Sequence, residues 1–430
     1  MAKRSRFGFA ADLPGNGGSR LAFPPPGGSF LYRTTPFHQR VEPANTTGLW
    51  SHWAGYLAAD KYQLSEKFEY LAVRNAVGVF DTSPLYKYRI SGPGAERYLS
   101  GVLTRNIRRC RPGQAQYTVW CDDRGFVVED GVVLRHSSDE FLLTAARPNL
   151  SYLRNLVGYE AVEIEDVSEQ WGILAVQGPA ARTVLEPLAA EIASLGFFDL
   201  APVKVAATAV TVSRTGYTGG LGYEIWVPAE DAVAVWDDVA EAGKGHGLLP
   251  FGQVALLMAR IEAGLLLIDI DFESSRFAFN DEHRSTPLEL GLGWMVRDLD
   301  DDDDRPFVGR NAIITERAEK TSRWKITGLV VDWRQYESMY TDAGLLPPKD
   351  HIPVTEEFML YGEEGERVGY ATSFMYSPML QRHIAIARVL PHLAAAGTRV
   401  DLEVTVNHRY ERVGATVARM PLYNPAHKTA

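Results

Sequence analysis

The sequence predicts an α+β protein that ends in a β-barrel-like domain. From about Thr34, helix and strand signals alternate irregularly, without the regular strand–helix–strand rhythm of a doubly wound parallel sheet. The acidic run Asp298–Asp304 separates this part from a C-terminal part that is rich in strand signals. The strands predicted there are Lys325–Val330, Val368–Thr372, His383–Val389, Arg399–Val406 and Ala415–Arg419.

A β-hairpin is predicted over Gly113–Leu134. Its two strands, Gln116–Cys121 and Phe126–Leu134, are rich in the β-branched and aromatic residues that favour strands. The four residues between them, Asp122–Gly125, include two aspartates and a glycine, which tight turns prefer. We therefore expect an antiparallel pair that is joined by this turn.

Strand and helix signals continue beyond the hairpin. Pro179 follows a short apolar strand and suits the first turn of a helix, where its missing N–H costs nothing. A glycine-rich loop lies between two further strands, and the last of the predicted helices is apolar enough to be buried. The predicted elements are strands Gly172–Val176, Thr211–Ser213 and Tyr223–Val227, and helices from about Ala180, over Ala229–Ala242 and over Gln253–Leu266.

Composition divides the chain into three segments. Residues 1–33 form an arm, because the run Pro24–Gly28 can continue neither a helix nor a central strand, and no apolar core of a secretory signal is present. Residues 34–300 form the α+β body, and residues 320–430 form the barrel domain. The acidic run between them is interpreted as a solvated linker, because it lacks the glycine turn of a hard-cation loop.

The overall composition excludes several functional classes. The chain has 44 basic and 54 acidic residues, and a net charge of −10 attracts neither nucleic acid nor anionic membrane surfaces. Its two cysteines, Cys110 and Cys121, cannot form a disulfide framework, and no local histidine or cysteine spacing predicts a metal site. The apolar runs are too short to span a bilayer. We expect a soluble, cytoplasmic protein without nucleic-acid, membrane or metal partners.

Two adjacent carboxylates, Glu129 and Asp130, stand inside the apolar second strand of the hairpin. Strand alternation sends them to opposite faces, so at most one belongs to a given pocket. An unpaired buried carboxylate costs several kcal/mol, so such a residue usually has a partner or a function. The alternative is that one of them faces water from an edge strand, and the strand alone favours neither hypothesis.

The glycine-rich segment Ser213–Trp226 is the second candidate site. Its four glycines let the backbone approach a ligand closely, but no lysine follows to bind phosphate. In the strand after the loop, Glu224 and Trp226 share one face. A carboxylate beside a flat aromatic suits a planar heterocycle with adjacent N–H donors, such as the edge of a pterin. The alternative is a solvent-facing Glu224 on a half-exposed strand.

These segments together resemble the folate-dependent T-protein (aminomethyltransferase) superfamily over about Thr34 to Leu422. The superfamily includes glycine-cleavage T-protein, dimethylsulfoniopropionate demethylase, aromatic O-demethylases, and the folate domains of dimethylglycine and sarcosine dehydrogenases. The matching blocks occur in the family's order. They are Val79–Ser83, Pro112–Tyr117, Gly125–Asp130, Ala175–Pro179, Ser213–Glu224, Arg260–Gly264, Pro306–Arg310 and Ser373–Pro378.

The resemblance implies a three-domain cloverleaf, with two α+β lobes and a C-terminal β-barrel around a central folate channel. It implies tetrahydrofolate as the cofactor. Asp130 matches the family's catalytic aspartate beside the reactive folate nitrogens, and Glu224 matches the glutamate that holds the pterin edge. Tyr117 and Tyr217 match tyrosines that line the folate cleft. With Trp226 from strand alternation, these residues form the predicted site.

The chain also departs from the patterns of the superfamily. T-proteins carry His-Met where this chain has Pro84-Leu85, and Leu134 replaces a family tyrosine. Leu256 stands where T-proteins have an arginine and aromatic O-demethylases a catalytic tyrosine. The opening segment, Arg33–Glu42, looks closest to the sulfoniopropionate demethylases.

We therefore expect an enzyme that moves a methyl group from a small methylated donor to tetrahydrofolate. The alternative enzyme is a glycine-cleavage-type aminomethyltransferase that acts on a lipoyl carrier protein. A third hypothesis is a folate-binding regulator without turnover. The presence of Asp130 argues against the regulator, because binding alone needs only the Glu224 side of the site.

Overall fold

The computed structural model describes residues 32–428, except residues 206, 298 and 300–302. Of the predicted arm, only Tyr32 and Arg33 lie within the described residues. The strands are β1 (Trp50–Trp53), β2 (Tyr56–Ala59), β3 (Val77–Asp81), β4 (Tyr86–Ser91), β5 (Gln114–Cys121), β6 (Val127–Arg135), β7 (Glu140–Ala145), β8 (Glu163–Asp166), β9 (Trp171–Gln177), β10 (Leu200–Val205), β11 (Thr208–Ser213), β12 (Gly222–Pro228), β13 (Leu248–Pro250), β14 (Lys325–Val331), β15 (Phe358–Tyr361), β16 (Arg367–Ser377), β17 (Arg382–Val389), β18 (Arg399–Val406) and β19 (Arg409–Ala418).

The α-helices lie mostly against the sheets and between the domains. They are α1 (His38–Ala44), α2 (Glu66–Asn75), α3 (Ala95–Val102), α4 (Leu150–Asn155), α5 (Ala181–Leu185), α6 (Ala232–Gly243), α7 (Gln253–Ala263), α8 (Arg310–Glu319) and α9 (Trp333–Asp342). Helix α7 is the most central: its Ala255, Met258 and Ile261 are completely buried. This burial agrees with the apolar pattern that predicted it.

Two of the sheets form separate lobes, and the chain leaves the first lobe to build the second before it returns. Lobe A contains the six-stranded sheet β10-β11-β12-β9-β3-β13, and lobe B contains the five-stranded sheet β5-β6-β7-β4-β8. All the strands of lobe B lie between β3 and β9 in sequence, so lobe B is an insertion into lobe A. The predicted hairpin is present as β5 and β6, which pair antiparallel, and Gly125 closes the turn with φ +81°.

The C-terminal strands close into a barrel in the order β14-β17-β16-β15-β18-β19. Strand β17 is buried on both faces: Ala385 and Ala387 belong to the barrel core, whereas Ile384 and Ile386 join the hydrophobic cluster between the barrel and the lobes. The sequence of a strand that is covered on both faces is an almost unbroken run of apolar residues. The predicted α+β class, with two lobes and a C-terminal barrel, is thus confirmed.

Two sequence predictions need correction. Strand β15 was not predicted, because it has only four residues and gives little periodic signal. The acidic run is not entirely a solvated linker: Asp303 is buried and accepts a hydrogen bond of 2.8 Å from Arg305. Arg305 is itself buried and donates to the carbonyl groups of Ser100 and Leu103 in lobe B. Asp298 and Asp300–Asp302 lie outside the described residues.

Helix α7 connects lobe A to the barrel through two buried ion pairs. Glu262 pairs with Arg74 of α2 at 2.6 Å and also accepts hydrogen bonds from Tyr70 and from Ser377 of β16. The side chains of Glu262 and Arg74 are almost completely buried. A carboxylate in such a place is stable only because its oxygens are all matched by donors.

The second pair joins Arg260 to Asp271 in the loop that follows α7, and both side chains are fully buried. Arg260 also donates to Ser373 of β16 at 2.7 Å, and Asp271 accepts from Thr372 at 2.6 Å. Two residues of one helical turn therefore fix the loop and the barrel strand against lobe A.

We predict that Glu262→Gln destabilises the protein strongly. Glutamine keeps the volume of the side chain but cannot neutralise the buried Arg74 guanidinium. Removing one partner of a buried ion pair costs about 3–5 kcal/mol in the free energy of unfolding. Urea titration of the variant and of the wild type measures this difference.

The control is Asp237→Asn, which breaks the ion pair between Asp237 and Arg40. Both side chains of that pair are largely exposed, so the free energy of unfolding should barely change. Equal effects of the two substitutions would mean that the Glu262 pair does not hold the domains together.

Candidate active site

The hairpin of lobe B presents Asp130 and Tyr117 on the same face. In the antiparallel register, Val119 faces Asp130 and Tyr117 faces Val132, so Tyr117 and Asp130 are diagonal neighbours. The Tyr117 hydroxyl donates a hydrogen bond of 2.9 Å to Oδ2 of Asp130. Both residues are partly buried, so their two polar groups meet at a half-buried position on the hairpin.

The surroundings of this pair set its protonation. Burial raises the pKa of Asp130, and the hydrogen bond from Tyr117, which stabilises the ionised carboxylate, offsets this shift only in part. Burial and the negative charge of Asp130 raise the pKa of Tyr117 well above its usual range, so Tyr117 is a neutral donor. Asp130 can therefore exchange a proton closer to neutral pH than an ordinary aspartate.

Glu129 is completely buried, whereas Asp130 is partly buried. The alternative of a solvent-facing carboxylate on an edge strand is wrong, because β6 lies between β5 and β7 inside the sheet. Glu129 accepts hydrogen bonds from the backbone N–H of Asp130 at 3.0 Å and of Arg147 at 2.9 Å, and from Asn149 at 3.3 Å. Burial and the neighbouring Asp130 raise the pKa of Glu129.

Tyr217 approaches the same region from the glycine-rich loop of lobe A. Its hydroxyl donates to the carbonyl oxygen of Leu266, which follows α7. Burial raises its pKa, and Asp130 adds to this shift, so the two side chains lie within electrostatic range of each other. The structure therefore brings together Asp130, Tyr117 and Tyr217, which are separate in sequence.

Glu224 lies on β12 and is partly buried. The Thr215 hydroxyl donates to its Oε2, and burial raises the pKa of Glu224. Within the described residues, Oε1 of Glu224 accepts no hydrogen bond. The side chain thus keeps an acceptor for further donors.

Trp226 has a supporting position behind Glu224. It is almost completely buried, and its indole N–H donates to the Ser213 hydroxyl at 3.3 Å. Ser213 lies 2.7 Å from the Thr215 hydroxyl, and Thr215 contacts Glu224. The structure therefore links Trp226 to Glu224 through two hydroxyl groups, and direct contact of Trp226 with a cofactor stays a prediction.

Gln177 holds the glycine-rich loop in place, and sequence analysis did not assign it a role. Its amide donates to the carbonyl groups of Thr215 and Tyr223, both at 3.2 Å. A Cβ on Gly216 or Gly222 would come within 2.1 or 2.2 Å of its oxygen, so a larger residue at either position would displace the Gln177 side chain. The block Ala175–Pro179 contained the signal, because a glutamine inside an apolar strand must find partners.

Across the described ranges, no group of three or more histidine, cysteine, aspartate and glutamate side chains could hold a metal ion. In the same part of the chain, no helix is both long and apolar enough to cross a membrane.

Comparison with known proteins gives consistent matches over most of the chain. The GCVT N-terminal domain family matches residues 39–298, and the glycine cleavage T-protein C-terminal barrel domain family matches residues 343–424. An aminomethyltransferase of Parafrankia sp. is 33% identical over 377 residues, covering 86% of this chain and 93% of that protein. An aminomethyltransferase of Geobacillus thermodenitrificans is 31% identical over 367 residues, covering 84% of this chain and 91% of that protein.

A solved structure shows the same fold. It is the crystal structure of glycine cleavage system aminomethyltransferase T from Bartonella henselae, which superposes with a TM-score of 0.75. The match covers 91% of this chain and 98% of that chain, at 24% sequence identity. The arrangement of two lobes and a barrel is therefore one that a known protein also adopts.

Proposed function

Since the chain belongs to the glycine-cleavage T-protein (aminomethyltransferase) family and is a tetrahydrofolate-dependent one-carbon transferase, we propose that it transfers a methyl group from a small methylated donor. The observation that supports this choice is Leu256 on α7. It packs, partly buried, against the same hydrophobic cluster as Tyr117. An apolar leucine favours contact with methyl groups, whereas the arginine that T-proteins carry at this position would offer a charge.

Glu224 is the residue that we expect to hold the cofactor. Tetrahydrofolate, when bound, supplies the nitrogen that takes the one-carbon unit. The acceptor oxygen of Glu224 that is left without a donor suits the adjacent N–H groups of a pterin edge. Thr215, Ser213 and Trp226 behind it fix the orientation of the carboxylate.

Asp130 is the residue that we expect to manage the proton. Its raised pKa lets the carboxylate accept a proton and release it again near neutral pH. Tyr117 holds one carboxylate oxygen, so the other can face the reacting groups. Glu129 binds the backbone N–H of Asp130 and of Arg147, which keeps the strand and the neighbouring loop in position.

A second candidate is transfer of an aminomethyl group from a lipoyl carrier protein. The names of the relatives favour it, because both are aminomethyltransferases at 31–33% identity. The two candidates give different products, so one experiment separates them. The protein is incubated with tetrahydrofolate and either methylated sulfur, nitrogen and oxygen compounds or an aminomethylated lipoyl carrier protein.

Mass spectrometry then identifies the folate product. Formation of 5-methyltetrahydrofolate with one of the small compounds supports the methyl-transfer proposal. Formation of 5,10-methylenetetrahydrofolate only with the carrier protein replaces it by the second candidate. Binding of tetrahydrofolate without either product would indicate a regulator that lacks turnover.

We predict that Asp130→Asn lowers turnover by about 10²–10⁴, the usual range for general acid–base catalysis. Asparagine keeps the size of the side chain but cannot accept the proton. Affinity for tetrahydrofolate should change little, because Glu224 supplies the binding carboxylate. Single-turnover formation of the folate product, together with calorimetry, measures both quantities.

The matched control for Asp130→Asn is Asp123→Asn in the turn of the same hairpin, where the side chain is exposed. Its turnover should equal that of the wild type. Full activity of Asp130→Asn would mean that positioning alone drives the reaction. Glu129→Gln is not a neutral control, because its side chain is buried and holds three hydrogen bonds.

We predict that Tyr117→Phe moves the acidic limb of the pH–rate profile to higher pH. The ionised form of Asp130 is active and is lost as the pH falls through its raised pKa. The Tyr117 hydroxyl stabilises that form, so its removal raises the pKa further. A hydrogen bond to a charged group is worth about 1.5–3 kcal/mol, which corresponds to a shift of roughly one to two pH units.

Tyr217→Phe is the control for this profile. Its hydroxyl donates to the carbonyl oxygen of Leu266 and not to Asp130, so the acidic limb should stay in place. If Tyr117→Phe leaves the limb unmoved, the limb reports another group and Asp130 is not the proton acceptor.

We predict that Glu224→Gln weakens tetrahydrofolate binding by about tenfold or more. The substitution turns one acceptor into a donor and removes the charge that strengthens both hydrogen bonds. Isothermal titration calorimetry measures the affinity. Glu230→Gln, at an exposed position just after β12, is the matched control and should bind normally. Unchanged affinity in Glu224→Gln would place the pterin elsewhere.

A further inference from the structure

A cleft of about 450 Å³ lies on the outside of the barrel, away from the residues discussed so far. It is formed where the first turn of α9 meets strands β14, β17, β18 and β19. Three arginines line it, Arg334, Arg382 and Arg399, and we call it the arginine cleft. Nothing in the one-carbon chemistry uses these residues.

The three arginines come from three different elements that the barrel topology brings together. Arg399 begins β18 and stands opposite Thr416 of β19, which in turn stands opposite Val330 of β14. Arg382 is the first residue of β17, the other neighbour of β14. Arg334 lies in the first turn of α9. The three arginines therefore reach the cleft from three separate elements.

The positive charge in the cleft is not neutralised by the protein. Within the described part of the chain, none of the three guanidinium groups lies within ion-pair distance of an acidic side chain. Asp332 also lines the cleft, but its Oδ1 already accepts the N–H groups of Arg334 and Gln335 as a helix cap. Three positive charges thus face one negative charge, in a chain whose net charge is −10.

Gly414 of β19 also lines the cleft, and its lack of a side chain leaves space there. A Cβ at this position would lie 3.0 Å from Nη2 of Arg399 and 2.9 Å from the side-chain oxygen of Gln335. That oxygen accepts the backbone N–H of Gly414 at 2.7 Å. The strand glycine therefore lets the Arg399 guanidinium approach the backbone closely, which a larger residue would prevent.

We propose that the arginine cleft binds the phosphoryl group of a small phosphorylated molecule. The excess of two positive charges matches a phosphate dianion. Guanidinium groups that approach from several elements suit the oxygens of a tetrahedral group, whereas a planar carboxylate presents only two oxygens in one plane. The Thr416 hydroxyl supplies a further donor at the edge of the cleft.

The test is titration calorimetry of the full-length protein with pyrophosphate, inorganic phosphate and citrate, without folate. Saturable binding of pyrophosphate is expected, and it should weaken as the ionic strength increases. Arg399→Gln and Arg382→Gln should each weaken it at least tenfold. Their melting temperatures should equal that of the wild type, because both side chains are exposed.

Arg409→Gln is the matched control. Arg409 is exposed and begins β19 beside Val406, at the opposite end of β18 from Arg399, roughly 23 Å away along the strand. The affinity of the Arg409→Gln variant for pyrophosphate should stay within twofold of that of the wild type. The proposal is overturned if no phosphate compound binds saturably, or if all variants bind equally. Citrate binding as tightly as pyrophosphate would overturn the phosphoryl assignment.

Discussion

The fold depends on two opposite charges in the last turn of α7. Glu262 reaches into lobe A and Arg260 reaches towards the following loop, and each also bonds a serine of barrel strand β16. Burying these charges is costly, and only pairing each with an opposite charge makes it tolerable. A helix that satisfies both partners can therefore stand in one place only, and this position fixes lobe A against the barrel.

The geometry of the candidate active site follows from this constraint. Arg74, the partner of Glu262, also donates to the carbonyl group of Thr218 at 2.8 Å, next to Tyr217 in the glycine-rich loop. Tyr217 in turn bonds the carbonyl group of Leu266, just beyond α7. The loop of lobe A is thereby held opposite the hairpin of lobe B, where Asp130 and Tyr117 lie. The site is made by domain placement as much as by its own residues.

The sequence was sufficient where structure depends on neighbours along the chain. The hairpin, helix α7 and most barrel strands follow from local periodicity and turn chemistry, and alternation correctly put Glu224 and Trp226 on one side of β12. Sequence analysis failed where a buried side chain depends on partners that are distant in the chain. Glu129 is buried because Arg147 and Asn149 reach it, and Asp303 is buried because Arg305 binds a carbonyl group 205 positions earlier. No local pattern contains such contacts.

The insertion of lobe B into lobe A has a consequence for the order of folding. Strand β3 pairs with β9 and β13, so it does not have both of its partners in the sheet of lobe A until residue 250 has been synthesised. Lobe B is continuous from Tyr86 to Asp166 and needs no later strand to complete its sheet. On the ribosome, the inserted lobe therefore completes its sheet first. The carboxylate pair of β6 is then in place before the loop that will face it has been translated.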